Sequence, residues 1–255
     1  MGIKNVLLTF ANRFAKIVGF FNKKLPVFYN RRILWLSKRS WSSLISRYEP
    51  HMKNAIEKNL NKRDTFFDVG SNIGWFSLLA SQITGSNGKV FAFEPAPEVF
   101  ALLTANTLGL KNIKLFQSGI GSANGTLTFA SQGTSSSGSF VNDVAKINQS
   151  YLPNTPIIGI EIPVRSLDNI LNETKTVPDL VKIDVEGYEL EVLKGAKNLL
   201  HLHRPKIIME IHPQQLVLSG GSEVALFSLL SANNYSWQII DKNPNSLYTI
   251  LALPS

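Results

Sequence analysis

Short apolar runs alternate with segments of helical periodicity over most of the chain beyond residue 65. Apolar runs bounded by polar or glycine-containing turns predict strands, whereas apolar residues three and four positions apart predict helices. The predicted strands cover residues 65–69, 89–93, 113–117, 126–130, 157–164, 180–185, 206–211, 237–240 and 248–253, and clear helices cover residues 97–108 and 222–232. This alternation predicts an α/β fold with a doubly wound, mostly parallel sheet.

The first 47 residues have a different pattern. Between residues 3 and 21, apolar positions follow a four-three spacing with basic residues opposite, which predicts an amphipathic helix. This helix could lie on an anionic membrane surface, but we favour packing against the rest of the chain or a second copy. Residues 27–47 interleave basic residues with Trp35 and Trp41, which we interpret as a helical face rather than a nucleic-acid-binding patch. The predicted division is therefore a basic helical segment, residues 1–47, and an α/β domain, residues 48–255.

Composition and charge narrow the function classes. The chain has 255 residues, 44% of them hydrophobic, which is enough for one sizeable core. It has no cysteine, which excludes a disulfide scaffold, a thiolate metal site and a cysteine nucleophile. Residues 1–63 contain 14 Lys and Arg and 2 acidic residues, whereas the remainder contains 12 basic and 16 acidic residues. The net charge of +8 therefore belongs to the N-terminal segment and not to the α/β domain.

Targeting signals are not evident in the sequence. No apolar run approaches the roughly 18 to 20 residues that a membrane-spanning helix needs. Arg13 and Lys16 interrupt the apolar part of the N-terminal segment, and no small-residue cleavage site follows it. We therefore expect a cytoplasmic protein, with peripheral contact to the inner membrane face through residues 3–21 as a secondary expectation.

The turn after the first predicted strand carries the candidate chemistry. Gly70 and Gly74 follow a G-x-x-x-G spacing, which lacks the third glycine of a dinucleotide fingerprint. Asp68 precedes the turn, where a carboxylate repels a diphosphate but attracts an ammonium group. Glu94 ends the next strand, where a carboxylate can accept both hydroxyls of a ribose. These features fit S-adenosylmethionine (SAM), although Asp68 could be a turn-former and Glu94 an exposed strand end.

Two separated motifs add a family resemblance. The D-x-G-x-x-x-G turn with a strand-terminal Glu is similar to class I SAM-dependent methyltransferases. The run I-D-V-E-G-x-E at residues 183–189, followed by V-L-K-G-A at residues 192–196, closely resembles the FkbM-type methyltransferases. The resemblance covers about residues 48–212. It implies a Rossmann-like class I methyltransferase fold with a C-terminal antiparallel hairpin, and SAM-dependent methylation of a hydroxyl on a sugar, glycolipid or secondary metabolite.

The resemblance also implies cofactor contacts. We expect SAM to contact the glycine turn, the end of the second strand and the end of the third strand, at Asp68, Gly70, Asn72, Gly74, Glu94, Ser118 and Gly119. Ser122 stands where the family often has an acidic residue, which weakens the adenine contact. The Ser- and Gly-rich stretch 131–139, together with the polar run that follows it to residue 156, is a candidate lid over the acceptor.

Activation of the acceptor has two alternatives at this stage. His212, just past the strand 206–211, can act as a general base, because an alcohol must lose its proton during methyl transfer. Alternatively, Asp184, Glu186 and Glu210 could join His212 in binding a divalent cation such as Mg²⁺, which lowers the pKa of the hydroxyl. Glu186 and Glu189 also have a structural explanation, since acidic residues favour the first turn of a helix. We name His212, Asp184 and Glu186 as the candidate catalytic residues.

Two other functions compete with an O-methyltransferase. The basic segment could bind nucleic acid, but the turn D-V-E-G at residues 184–187 differs from the N-P-P-Y or D-P-P-Y turn of many base methyltransferases. A SAM-binding scaffold without catalysis is the other alternative. The expected partner is a small-molecule, glycan or glycolipid acceptor.

Overall fold

The structure is a computed structural model. It describes the backbone of residues 24–29 and 32–37, and residues 49–131, 138–140, 157–242 and 247–255. Contacts within the chain divide it into two compact units, Met1–Tyr48 and Glu49–Ser255, which are described separately.

The described part of the first unit is a β-hairpin. Strand β1, Lys24–Tyr29, pairs antiparallel with β2, Arg32–Ser37, and the register of Tyr29 with Arg32 leaves two residues between the strands. The predicted helical face of residues 27–47 is therefore wrong for residues 27–29 and 32–37. Both contain β-branched and aromatic residues that favour strands, so their basic character misled the helical interpretation. The predicted helix over residues 3–21 lies outside the described residues.

The second unit is built on ten strands and seven helices within its described residues. The strands are β3 Thr65–Val69, β4 Lys89–Phe93, β5 Ile113–Phe116, β6 Gly119–Ile120, β7 Gly125–Ser131, β8 Ile158–Arg165, β9 Leu180–Ile183, β10 Lys206–Ile211, β11 Tyr235–Lys242 and β12 Tyr248–Pro254. The helices are α1 Pro50–Asn59, α2 Trp75–Thr84, α3 Pro97–Thr107, α4 Leu167–Thr174, α5 Glu189–Lys194, α6 Pro213–Leu218 and α7 Glu223–Ala232, and a π-helical turn covers Leu199–His203.

Local sequence explains where several helices begin. Ser166 and Ser222 cap α4 and α7, and their hydroxyl oxygens accept hydrogen bonds from the backbone N–H groups of Asn169 and Ala225. Such caps satisfy donors that the first helical turn leaves without partners. Pro97 begins α3, a position where its missing N–H costs nothing. The starts of α3 and α7 agree with the sequence prediction to within a residue or two.

Seven strands form the central sheet in the order β11-β12-β10-β9-β3-β4-β5. Neighbouring strands from β10 to β5 are parallel, and β12 pairs antiparallel with both β10 and β11. A second sheet, in the order β6-β8-β7, follows the edge strand β5 in the chain. The predicted doubly wound sheet with a C-terminal antiparallel hairpin is confirmed.

The strand order reverses between β3 and β9. From β3 the chain adds β4 and β5 on one side, and then returns to add β9 and β10 on the other side. Ligands of open α/β sheets bind outside the carboxyl ends of the strands at such a switch point. Buried side chains of the central strands, including Phe67, Phe93 and Ile183, form the core beneath this edge. Among the described residues, no helix is long and apolar enough to cross a membrane.

Candidate functional site at the carboxyl edge of the sheet

The turn between β3 and α2 requires both of its glycines. Gly70 has a φ of 75°, and a Cβ atom there would lie 1.8 Å from the carbonyl oxygen of Asp184. Gly74 has a φ of 94°, and a Cβ there would lie 2.7 Å from Cδ1 of Leu103. A side chain at either position would meet a collision as well as backbone strain. The turn is thus packed directly against the segment that follows β9.

Glu94, which directly follows strand β4, holds this turn in place by hydrogen bonds. Its carboxylate accepts hydrogen bonds from the backbone N–H groups of Asn72 and Ala96, each at 2.9 Å. The side chain is 7% exposed, and burial raises the pKa of Glu94 to about 7 against the opposing effect of the two N–H donors. A carboxylate has about four lone-pair sites, so Glu94 can still accept hydroxyl donors from a ligand.

Asp68 is enclosed beneath the turn. It is 0% exposed; the Ser77 hydroxyl donates to Oδ2 at 2.6 Å, and Nζ of Lys182 lies 3.3 Å from Oδ1. Asp68 therefore presents no exposed carboxylate for its predicted contact with the amino-acid tail of SAM. Asp68 acts on the turn through these two partners.

Lys182 was missed by the sequence reasoning. It lies in β9, is 2% exposed, and donates to the Gly70 carbonyl oxygen at 2.6 Å. Its Nζ also lies 3.4 Å from Oδ2 of Asp184. Burial by itself lowers the pKa of Lys182, but the carboxylates of Asp68 and Asp184 outweigh burial and raise the pKa above its ordinary value. A lysine in an otherwise apolar central strand was the available signal, because such a residue is almost never buried without partners.

His212 follows β10 and precedes α6. Its side chain is 3% exposed, and Nδ1 lies 2.8 Å from Oε1 of Glu189. The other ring nitrogen, Nε2, lies 3.6 Å from Glu186 and 3.8 Å from Glu210. Burial lowers the pKa of His212, but the Glu186 and Glu189 carboxylates outweigh burial and raise this pKa well above its ordinary value. One ring nitrogen is therefore fixed by Glu189 while the other faces carboxylates.

The structural explanation of Glu189 as a favourable charge in the first turn of a helix is incomplete. Glu189 begins α5 but is 0% exposed, and its Oε1 also accepts from the Gly187 backbone N–H at 2.9 Å. A buried carboxylate bonded to an imidazole fixes the tautomer and orientation of the ring. Glu189 is thus the partner of His212, which sequence spacing alone did not indicate.

Three residues are arranged so that they could bind a metal ion. One ligand atom each from Asp184, Glu210 and His212 lies within 4.8 Å of the others. Burial, and then repulsion by Asp184, raises the pKa of Glu210 to about 9. Glu186 has a φ of 51° in the adjacent turn. Carboxylate oxygens and an imidazole suit a divalent cation, and the same groups suit a shared proton.

The two predicted adenine contacts have different surroundings. Ser118 is 3% exposed, and its hydroxyl has no hydrogen-bond partner among the described residues. Gly119 lies beneath Phe140, since a Cβ at Gly119 would lie 2.2 Å from Cζ of that ring. Phe140 belongs to the short described part of the predicted lid, in which the Ser139 hydroxyl donates to the Glu186 carbonyl oxygen at 3.4 Å. Residues 132–137 and 141–156 of the lid lie outside the described residues.

The structure brings the predicted residues together in two adjacent groups. Gly70, Asn72, Gly74 and Glu94 form or fasten the turn, with Asp68 below it. Asp184, Glu186, Glu210 and His212 form a second group, which we call the acidic cluster. The two groups meet where Gly70 packs against Asp184 and where Lys182 bridges Asp68 and Asp184.

Comparisons with known proteins point to one family. The family model described as the methyltransferase FkbM domain matches residues 68–236. The hexuronic acid methyltransferase AglP of Haloferax volcanii is 28% identical over 82% of this chain and 79% of its own length. The 31-O-demethyl-FK506 methyltransferase FkbM of Streptomyces tacrolimicus is 30% identical over 64% of this chain and 70% of its own length. The solved structure of methyltransferase FkbM from Methylobacillus flagellatus has a TM-score of 0.49 and 17% identity, and the match covers 84% of this chain and 60% of that one.

Proposed function

Because the chain belongs to the FkbM methyltransferase family, we propose that it transfers the methyl group of SAM to a hydroxyl of a sugar, glycolipid or secondary metabolite. The observation that supports this most directly is the contact between the glycine turn and the acidic cluster at the switch point, where Gly70 packs against Asp184. The names of the relatives agree, since one acts on a hexuronic acid and another on an O-demethyl compound.

In the proposed complex, the turn and Glu94 bind the cofactor. The carboxylate of Glu94 accepts the ribose hydroxyls while its bonds to Asn72 and Ala96 hold it in place. The backbone around Gly70 and Gly74 lies along the amino-acid tail, where the absence of side chains permits close approach. Ser118 supplies a buried hydroxyl beside the adenine, next to Gly119.

Methyl transfer is a displacement at the sulfonium carbon. The acceptor oxygen attacks the methyl carbon in line with the sulfur, the C–S bond breaks, and S-adenosylhomocysteine leaves as a neutral thioether. The protein has to align the acceptor, exclude water and accept the hydroxyl proton. Nε2 of His212 takes this proton, and Glu189 stabilises the imidazolium that forms.

The raised pKa of His212 affects its role as the general base. A base must be neutral before the reaction, whereas the carboxylates around His212 favour its charged form. A sulfonium bound beside the ring would oppose this charge and lower the pKa. Binding of SAM thus favours the neutral form of His212, which can accept the proton.

A divalent cation remains the alternative activator, supported by the convergence of Asp184, Glu210 and His212. These residues would bind the ion, which would lower the pKa of the acceptor hydroxyl. Exhaustive chelation distinguishes the two. Full activity after chelation supports His212 as the base, whereas a loss that Mg²⁺ or Mn²⁺ restores supports the metal.

The test of the function follows the methyl group. A cell extract, fractionated into polysaccharide, lipid, small metabolites, protein and nucleic acid, is incubated with radiolabelled SAM and the purified chain. Label in glycan, lipid or small metabolites supports the proposal. Label confined to nucleic acid would replace it with the nucleic-acid methyltransferase. SAM binding without any label would favour the scaffold.

A further inference from the structure

The buried side chain of Lys182 touches both groups of the site. Asp68 of β3 and Lys182 of β9 are register partners, so their side chains lie on the same face of the sheet. Asp184 follows Lys182 by two positions and lies 3.4 Å from its Nζ. The ammonium group therefore lies between the cofactor turn and the acidic cluster.

Lys182 makes one hydrogen bond, to the Gly70 carbonyl oxygen, and two ion pairs, to Asp68 and Asp184. An ammonium group has three N–H donors. Nζ lies 2.6 Å from the Gly70 carbonyl oxygen, 3.3 Å from Asp68 and 3.4 Å from Asp184. With 2% of the side chain exposed, water cannot replace these contacts without a change in the fold. The Lys182 side chain is thus held in one position.

The bond to Gly70 fixes the orientation of a peptide group in the turn. Gly70 has a φ of 75°, and the N–H groups of Gly70 and Ser71 both donate to the Phe93 carbonyl oxygen. Lys182 fastens the start of the turn, and Glu94 fastens Asn72 from the other side. A turn fastened at two points presents its backbone to a ligand in one geometry, which lowers the ordering cost of binding.

We propose that Lys182 is a positioning residue, which holds the SAM-binding turn and Asp184 of the acidic cluster in one fixed geometry. This inference rests on the proposed function, because it assumes that the turn binds SAM. In this proposal Lys182 contacts neither the cofactor nor the acceptor, in keeping with its 2% exposure. It acts through the Gly70 carbonyl group and the Asp184 carboxylate.

The test measures the Kd of SAM by isothermal titration calorimetry on the full chain, which needs no acceptor. Lys182→Met keeps most of the length of the side chain and removes its charge, and we expect the Kd to rise roughly tenfold or more, as for loss of a charged hydrogen bond. Lys206→Met is the matched control, since Lys206 is a half-buried lysine that donates to the Asn59 carbonyl oxygen from the first position of β10. Its Kd should match that of the wild type.

A second pair of variants separates positioning from folding. Lys182→Met leaves Asp68 buried without its cation and can destabilise the fold, whereas D68N/K182M removes both charges together. We expect D68N/K182M to bind SAM roughly tenfold more weakly than D68N alone. Equal affinities of these two variants, or a wild-type Kd in Lys182→Met, would overturn the proposal. Absence of SAM binding by the wild type would overturn the proposed function, and this inference with it.

Discussion

At the scale of single residues, Glu94 combines a structural role in the turn with a role in ligand binding. Its carboxylate fastens the glycine turn, and its remaining lone pairs can accept ligand hydroxyls. Glu94→Ala is expected to weaken SAM binding by about 1 to 3 kcal/mol, the typical loss of charge-assisted hydrogen bonds. Calorimetric titration measures this loss. Glu98→Ala, an exposed glutamate in α3, is the control, and an unchanged affinity in Glu94→Ala would refute the assignment.

His212 and Glu189 give a pH prediction. The base works in its neutral form, so the rate should rise as the pH passes the His212 pKa, which the Glu186 and Glu189 carboxylates raise. Glu189→Gln removes one of these charges and keeps a side chain of similar size. We expect the rising limb of the pH–rate profile to move to lower pH, with a lower plateau because the ring loses its orientation. A limb that stays in place would argue against His212 as the base.

The raised pKa of Glu210 predicts how the free energy of unfolding depends on pH. Its pKa is raised from the ordinary 4.5 to about 9 in the folded protein, so the folded state binds its proton more tightly than the unfolded state does. Its contribution to the free energy of unfolding is therefore favourable at low pH and is lost as the pH rises from 4.5 towards about 9. Glu210→Gln should flatten this decline in urea unfolding measured in metal-free buffer. An equally steep decline in the variant would contradict the prediction.

At the scale of elements, the connection between β3 and α2 depends on close contact with the segment after β9. Gly70→Ala would place a Cβ 1.8 Å from the Asp184 carbonyl oxygen at a φ of 75°, so collision adds to backbone strain. We expect a loss of about 3 to 5 kcal/mol in the free energy of unfolding, together with loss of SAM binding.

Gly109 is the matched control for this substitution. It has a φ of 82°, but a Cβ there would have no atom within 4 Å. Gly109→Ala should therefore cost only the strain of the left-handed backbone, about 1 to 2 kcal/mol. Denaturant unfolding of both variants compares the two costs. Equal losses would mean that the contact with Asp184 does not restrain the turn.

The hairpin β1–β2 and the strand β9 show two features that the sequence pattern of a single element did not predict. The stretches of β1 and β2 combine strand-forming residues with basic ones, and their pairing, not their charge, determines the structure. In β9 the apolar pattern correctly predicted a central strand. The pattern could not say that Lys182 in this strand faces Asp68, because that depends on the register with β3.

At the scale of the whole molecule, charge and contacts divide the chain near residue 48. Residues 1–47 contain 10 Lys and Arg and no acidic residue. Glu49–Ser255 forms a compact unit, and its hydrophobic core cluster includes buried residues from Phe67 to Ala252. We expect a fragment of residues 49–255 to fold and to bind SAM with the affinity of the full chain. Circular dichroism and calorimetric titration test this, and a fragment that aggregates or binds SAM weakly would make residues 1–48 part of the domain.

The sequence by itself determined most strands of the second unit, the glycine turn, the strand-terminal Glu94 and the family, because apolar periodicity, turn residues and short motifs are local properties. Only the tertiary structure decided that Lys182 pairs with Asp184, that Glu189 orients His212, and that Phe140 covers Gly119. The physical reason is distance along the chain: Lys182 and Gly70 are 112 residues apart, and they meet only because β9 pairs with β3.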